Sequence, residues 1–368
     1  MQPHSPRGAR AHRTGSTRRA AAVLLVGVTL SLGACGSSAP PAGQAASTSS
    51  TTNSSTTNGA PATNGGAGTV PGTSAPPATS ATSTPRVKPT EVPGSALTGE
   101  AALLGPVFTV PASGITMSFR QFGSGPELLL VPGQAAPMSL WPLSTLRDLA
   151  SRYHVTIYDN RSLGATTDDL AKPLTMDQMA DDLVALTGAL GQDRPEVFGW
   201  STGGEIALVA MVRHPGTFGR VVITGAMPGG ASSVRGPEAN ITRFEDPATP
   251  PTELLPLLFA PGDVDGTKRF VEDYVKVEQT VVPADVTRRY AECEHAFLDG
   301  PGYDRGYAAL DVDLTVVNGK DDQLVPAGNA EVIGRLVPHA VVQLEAGGHA
   351  WFIEHPDRLA LLLPGARP

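Results

Sequence analysis

The chain has 368 residues, with 35 acidic against 27 basic side chains, a formal charge of −8 and only two cysteines. That balance argues against a basic surface for nucleic acid, and two cysteines exclude a disulfide framework, so a hydrophobic core has to supply the stability. His154, His214, His295, His339 and His355 lie apart, without the paired cysteine or carboxylate spacing of a metal site, and neither a metal nor a cofactor is expected.

Arg7, Arg10, Arg13, Arg18 and Arg19 precede an apolar run over residues 20–30. The run is too short to span a bilayer, and a basic segment before a short apolar one reads as an export signal. Thr17-Arg18-Arg19 also hints at twin-arginine export, so the route stays open. Leu32-Gly33-Ala34-Cys35 resembles the lipobox of bacterial lipoproteins, whose cysteine becomes the N-terminus and carries a lipid. The resemblance implies a signal over residues 1–35, lipidation of Cys35 and a place on the outer face of the cytoplasmic membrane, in the cell envelope. Without the five arginines, 22 basic side chains oppose 35 acidic ones, a net charge of −13.

From Gly36 to about Pro85 the chain is nearly all Ser, Thr, Ala, Pro, Gly and Asn, with no charge before Arg86. Such a stretch buries too little apolar surface to offset the entropy of ordering. Residues 36–95 are therefore expected to be a tether, with a random-coil reach of about 40 Å for some fifty residues.

Residues 96–368 are expected to hold the folded domain. Strand candidates are residues 115–122, 128–131, 155–158, 197–198, 221–223, 314–319 and 341–344. The first alternates in polarity and the later ones are continuously apolar, as antiparallel edge strands leading into buried parallel ones would be. Met176, Met179, Leu183, Leu186 and Leu190 recur at spacings of three and four. This predicts a helix that buries one face and turns Asp177, Asp181 and Asp182 to water, with Thr175 capping its start and Gly191 ending it. The alternation of strand and helix predicts βαβ units in an α/β fold with a mostly parallel sheet flanked by helices. It breaks between Pro228 and Ala308, where a proline-rich stretch precedes helical segments over 267–278 and 284–298. Some eighty residues are too many for a loop. Residues 228–308 are read as a helical insertion lying over the strand ends as a cap, with Cys293 a small buried hydrophobe.

Gly199-Trp200-Ser201-Thr202-Gly203 stands between an apolar segment and the helix-compatible residues 205–211, the layout of a nucleophile elbow. Downstream, one strand candidate runs into Lys320-Asp321-Asp322 and another into Gly347-Gly348-His349. A serine hydroxyl needs a base to take its proton, and the base needs an acid to hold its tautomer. Strand ends of one parallel sheet can gather such residues at a single rim, where ligands of open α/β sheets bind.

Taken with residues 128–134, 158–164, 319–326 and 348–356, the segment from about Thr116 to Leu362 resembles an α/β-hydrolase-fold serine hydrolase, esterase-like, with an inserted cap. The resemblance implies Ser201 as nucleophile and His349 as general base and later acid. Its Gly-x-x-Asp pattern with a proline four residues on selects Asp322, against Gly319 and Pro326, with Asp321 the fallback. It implies an oxyanion hole from the backbone N–H groups of Gln134 and Thr202, although Pro132-Gly133 replaces the usual His-Gly. Asp159 and Arg161 recur in the family as loop structure and are given no chemistry. The implied reaction is hydrolysis of a small-molecule carboxylic ester through an acyl-enzyme. Serine at the elbow argues against the dehalogenase and epoxide hydrolase relatives, which form an alkyl-enzyme. The alternatives are a carbon–carbon-bond hydrolase, a catalytically silent binding module, or an exported aminopeptidase. The last is suggested by Tyr158-Asp159-Asn160-Arg161 and opposed by Thr202, where those enzymes carry tryptophan. Oligomeric state is not legible.

Overall fold

The computed structural model describes residues 88–365; the export signal, Cys35 and residues 36–87 of the tether lie outside the described residues. Among the described residues nine strands form one sheet: β1 (Thr90–Glu91), β2 (Phe108–Ala112), β3 (Ile115–Gly123), β4 (Glu127–Val131), β5 (His154–Tyr158), β6 (Glu196–Trp200), β7 (Arg220–Thr224), β8 (Asp313–Gly319) and β9 (Val341–Glu345). Their spatial order is β1-β2-β3-β5-β4-β6-β7-β8-β9. Pairings among β1, β2, β3 and β5 are antiparallel, and every pairing from β5 through β9 is parallel. Thr90 pairs with Thr109 and Glu91 with Phe108, so these two residues, assigned by composition to the tether, belong to the sheet edge. The β2–β3 hairpin turns on Ser113 and Gly114, both at positive φ, the geometry whose twist matches the flanking strands.

Burial explains the pairing. Leu128 to Val131 of β4 and Val221 to Ile223 of β7 are wholly buried, as strands covered by helices on both faces must be. Strand β9 departs from that reading. It forms the far edge, and its Val341 and Val342 stay partly in solvent, while Gln343 and Glu345 interrupt the apolar run.

Helices α1 (Leu143–Ala150), α2 (Met176–Leu190) and α3 (Thr202–Arg213) cross over between parallel strands. Thr175 and Gln178 form a reciprocal capping box on α2, and Gly191 ends it in the left-handed conformation. Asp177 and Asp181 do face outward, where both meet Arg213 of α3 at 2.7 Å. Asp182 does not: it is buried against the Arg161 guanidinium, at 2.5 Å from Nε and 2.8 Å from Nη2. An arginine on the loop after β5 supplies the partner that lets a carboxylate sit on the inner face.

Between β7 and β8 the chain forms α4 (Glu238–Glu245), α5 (Pro251–Leu258), α6 (Val264–Tyr274), α7 (Ala284–Asp299) and the short α8 (Asp304–Tyr307). The proline-rich stretch itself holds α5, which starts on Pro251, where the missing N–H has no intrahelical partner to lose. Helix α7 is bound to the loop after β5: Arg289 pairs with Asp168, and the Tyr290 hydroxyl donates to the Arg161 carbonyl at 2.7 Å. After β8 follow α9 (Gly328–Leu336) and, past β9, α10 (Trp351–Glu354) and α11 (Pro356–Leu362).

Candidate active site

Ser201 occupies the turn from β6 into α3 at φ 58° and ψ −131°, a conformation that side chains rarely adopt. Its neighbours impose it. The Ser201 N–H donates to the Thr224 carbonyl at 2.8 Å, while its carbonyl accepts from the Gly204 N–H at 2.7 Å. Gly203 is required at the next turn of chain, because a Cβ there would run into the Val131 carbonyl of β4.

His349 follows β9 and is 1% exposed. Its Nδ1 lies 2.8 Å from Asp322 Oδ2. The other carboxylate oxygen accepts the N–H groups of Leu324 and Val325 at 2.9 and 2.8 Å, and Asn318 Nδ2 reaches Oδ2 at 3.3 Å. An acceptor fixed by three further donors presents a carboxylate to the imidazole, so Nδ1 carries the proton and Nε2 is left to accept one. Asp321, the other candidate, is exposed, and its N–H donates to the Gly347 carbonyl.

Two residues that sequence reasoning passed over hold the imidazole in place. The indole of Trp200, directly before the serine, donates to the His349 carbonyl at 3.0 Å. Gly225, just past β7, would with a Cβ come within 2.8 Å of His349 Cε1 and 2.9 Å of Nδ1. A lone glycine after a strand carries no signal of this; only the fold brings it under the ring.

Ser201 and His349 line one cavity of about 320 Å³, together with Gln134 and the apolar side chains of Leu140, Leu254, Leu258 and Phe270. Ser201 also borders a second chamber of about 500 Å³ with Gln134, Thr202 and Glu294. Thr202 is the first residue of α3, so its N–H has no intrahelical acceptor and stands at the positive end of the helix dipole. Gln134 lies in the loop after β4, where Ala135 takes a φ of 46° and Gly133 passes so close to Ser201 that an added Cβ would sit 3.3 Å from the serine Cβ. Gln134, the next residue, lines both cavities that Ser201 borders.

Two buried carboxyl groups behind Thr202 were not anticipated. Glu294 of α7 accepts the Thr202 hydroxyl at 3.1 Å, and Glu205 of α3 accepts the Met227 N–H at 3.1 Å. Burial pushes the Glu205 carboxyl far above the usual carboxylate range, reinforced by the nearby Glu294, and burial raises Glu294 as well. Asp159 and Arg161 have structural duties: Asp159 accepts the Met138 N–H at 2.7 Å and the Ser118 hydroxyl at 3.0 Å, and Arg161 holds Asp182.

The sequence profile of the alpha/beta hydrolase family matches residues 128–360. A curated relative from Caulobacter sp. (strain K31), "Putative carbamate hydrolase RutD", is 25% identical over 236 residues, covering 62% of this chain and 86% of its own length. Among solved structures, the esterase RhEst1 from Rhodococcus sp. ECU1013 matches with a TM-score of 0.58 at 21% identity, over 70% of this chain and 96% of that one. The esterase EaEST from Exiguobacterium antarcticum matches with a TM-score of 0.57 at 20% identity, over 70% and 97%. At such identities the structural likeness speaks to the fold.

Proposed function

This chain belongs to the alpha/beta hydrolase family, and on that premise we propose that it is a serine hydrolase cleaving small-molecule carboxylic esters through an acyl-enzyme at Ser201. The observation that carries this reading is the meeting of Ser201 and His349 in one cavity, with His349 tied through Nδ1 to buried Asp322.

His349 Nε2 takes the proton as Ser201 Oγ attacks the ester carbonyl. The charge that develops on the carbonyl oxygen falls between the N–H groups of Thr202 and Gln134, each such donor being worth about 10²–10³ in rate. Collapse expels the alcohol, which takes its proton from His349. Water, activated by the same imidazole, then attacks the acyl-enzyme, and the product acid leaves Ser201 free. The apolar cavity suits a hydrocarbon portion of the substrate, with α5 and α6 forming its wall as a cap. A carbamate would follow the same steps at its carbonyl, and the name carried by the Caulobacter relative makes it the second substrate class to test.

The test is turnover of p-nitrophenyl butyrate and of a p-nitrophenyl carbamate by residues 36–368. We expect hydrolysis of the ester, labelling by a fluorophosphonate probe, and loss of both on Ser201→Ala. An equally active Ser201→Ala protein overturns the proposal. The same reading places the enzyme outside the cytoplasmic membrane, held by a lipid on Cys35, which the lipobox-like segment at residues 32–35 supports.

A further inference from the structure

The two chambers that meet at Ser201 differ in chemistry. The first is walled mainly by hydrocarbon, whereas Arg235, Glu238, Glu245, Glu294 and His295 line the second. Three of these five are answered within the fold, since Glu245 pairs with His295 at 3.1 Å and Arg235 with Asp299 at 2.5 Å. Glu238 stands exposed in the first turn of α4. Glu294 is different: it is 94% buried, it faces the chamber, and it makes no ion pair among the described residues. Behind it Glu205 is wholly buried, and its carboxyl, kept protonated by burial, hydrogen-bonds Glu294. The charge of this acid–carboxylate pair falls on Glu294, and a buried carboxylate without a cation is costly to fold. Ionisable groups perturbed in this way cluster at functional sites.

Position sharpens the point. Glu294 holds the hydroxyl of Thr202, whose N–H faces the developing oxyanion in the proposed reaction. A negative charge so placed opposes the charge that forms on the carbonyl oxygen, unless a positive group on the substrate stands between them. A cation there would be held more tightly in the transition state than in the ground state, which is the condition for faster turnover.

We propose that the second chamber receives a substrate ammonium group, accepted by Glu294, so that the enzyme prefers esters bearing an amine close to the scissile carbonyl. This rests on the serine hydrolase reading. Glu294 is then a specificity-determining residue, and Glu205 positions it from behind.

Residues 36–368 are assayed with p-nitrophenyl butyrate, and phenethylammonium is compared with the isosteric but neutral propylbenzene as competitive inhibitors. A charge-assisted hydrogen bond predicts that the ammonium inhibits about tenfold or more strongly. That advantage should disappear in Glu294→Gln, which keeps an acceptor for Thr202. In parallel, the kcat/KM ratio for the methyl esters of phenylalanine and 3-phenylpropanoic acid is measured in both proteins. We expect the ratio to fall about tenfold in the variant, and the comparison between proteins cancels the greater intrinsic reactivity of the amino ester. Equal inhibition by the two compounds in the wild type, or an unchanged ester ratio in Glu294→Gln, overturns the inference and leaves the pair a structural one. Absence of both p-nitrophenyl butyrate turnover and fluorophosphonate labelling would instead strike the serine hydrolase reading beneath it.

Discussion

Ser201 keeps a backbone conformation costing on the order of 1–3 kcal/mol, and the close passage of Gly203 under Val131 leaves the chain no alternative. Gly225 is the more informative neighbour, because it touches the chemistry without taking part in it. In Gly225→Ala the methyl would meet the imidazole and displace it, and a misplacement of about 1 Å can cost 10²-fold in rate. We therefore expect kcat to fall about 100-fold while circular dichroism keeps the native spectrum; unchanged kcat would show that the ring is not seated there. Asp322→Asn should cost about 10⁴ in kcat by presenting the wrong partner to Nδ1, whereas exposed Asp321→Asn should leave kcat near the wild-type value. Glu205 makes a prediction about pH. Its folded pKa is raised by burial, so its protonated form is favoured in the folded state, and stability is lost as pH rises above the unfolded value near 4.5 towards the folded one. Glu205→Gln cannot ionise, so its Tm should match the wild type's below pH 4.5 and exceed it increasingly as pH rises above that, at some 2–4 °C per kcal/mol. A Tm difference independent of pH would show that the carboxyl does not hold its proton. At this scale Ser201, Asp322 and His349 were legible because each follows a strand within a recognisable run. Trp200, Gly225 and Glu294 were not, since what they do depends on residues far away in the chain.

Elements were legible where local chemistry and environment agree. Helix α2 carries its own cap, its own stop and a hydrophobic face at the right spacing, and it forms where the spacing puts it. The exception inside it is Asp182, whose place is decided by Arg161 on another element. Strand β9 shows the converse: its leading valines cannot reveal that, among the described residues, it is the last strand of the sheet. Helix α5 starts on a proline and contains Pro256, which reads locally as a breaker, and only packing of Leu257 and Leu258 against the core makes it worthwhile. The Asp182 contact yields a quantitative expectation. Removing the carboxylate in Asp182→Ala leaves the Arg161 guanidinium buried with Asp168 at 3.3 Å as its remaining anionic partner, and loss of one partner from a buried pair costs about 3–5 kcal/mol. Urea unfolding should show a lower midpoint with an unchanged slope, and a loss under about 1 kcal/mol would mean that the pair contributes little.

At the scale of the molecule, the proposed site is a consequence of strand order. The residues after β4, β6, β8 and β9 supply Gln134, Ser201, Asp322 and His349, and with β7 these strands are consecutive neighbours in the sheet, so one rim collects them all. Parallelism was legible from the alternation of strand and helix, but the order was not: that β5 lies between β3 and β4 rests on pairings between segments distant in the chain. The lipid anchor proposed at Cys35 belongs to this scale too. If the some fifty uncharged residues between the proposed anchor and the domain act as the tether read from their composition, a random coil of that length would reach about 40 Å, several times the screening length of about 8 Å at physiological salt. An acidic domain on such a tether would work outside the field of an anionic bilayer, with its local pH and ionic surroundings those of bulk solution. Cys35→Ala should therefore move the protein from the membrane fraction to the soluble one and abolish labelling by palmitate, while kcat/KM for p-nitrophenyl butyrate and its pH profile stay as in the anchored form. Retention of the variant in the membrane fraction would remove the anchor, and a shifted pH profile would show that the domain sits closer to the bilayer than its tether requires.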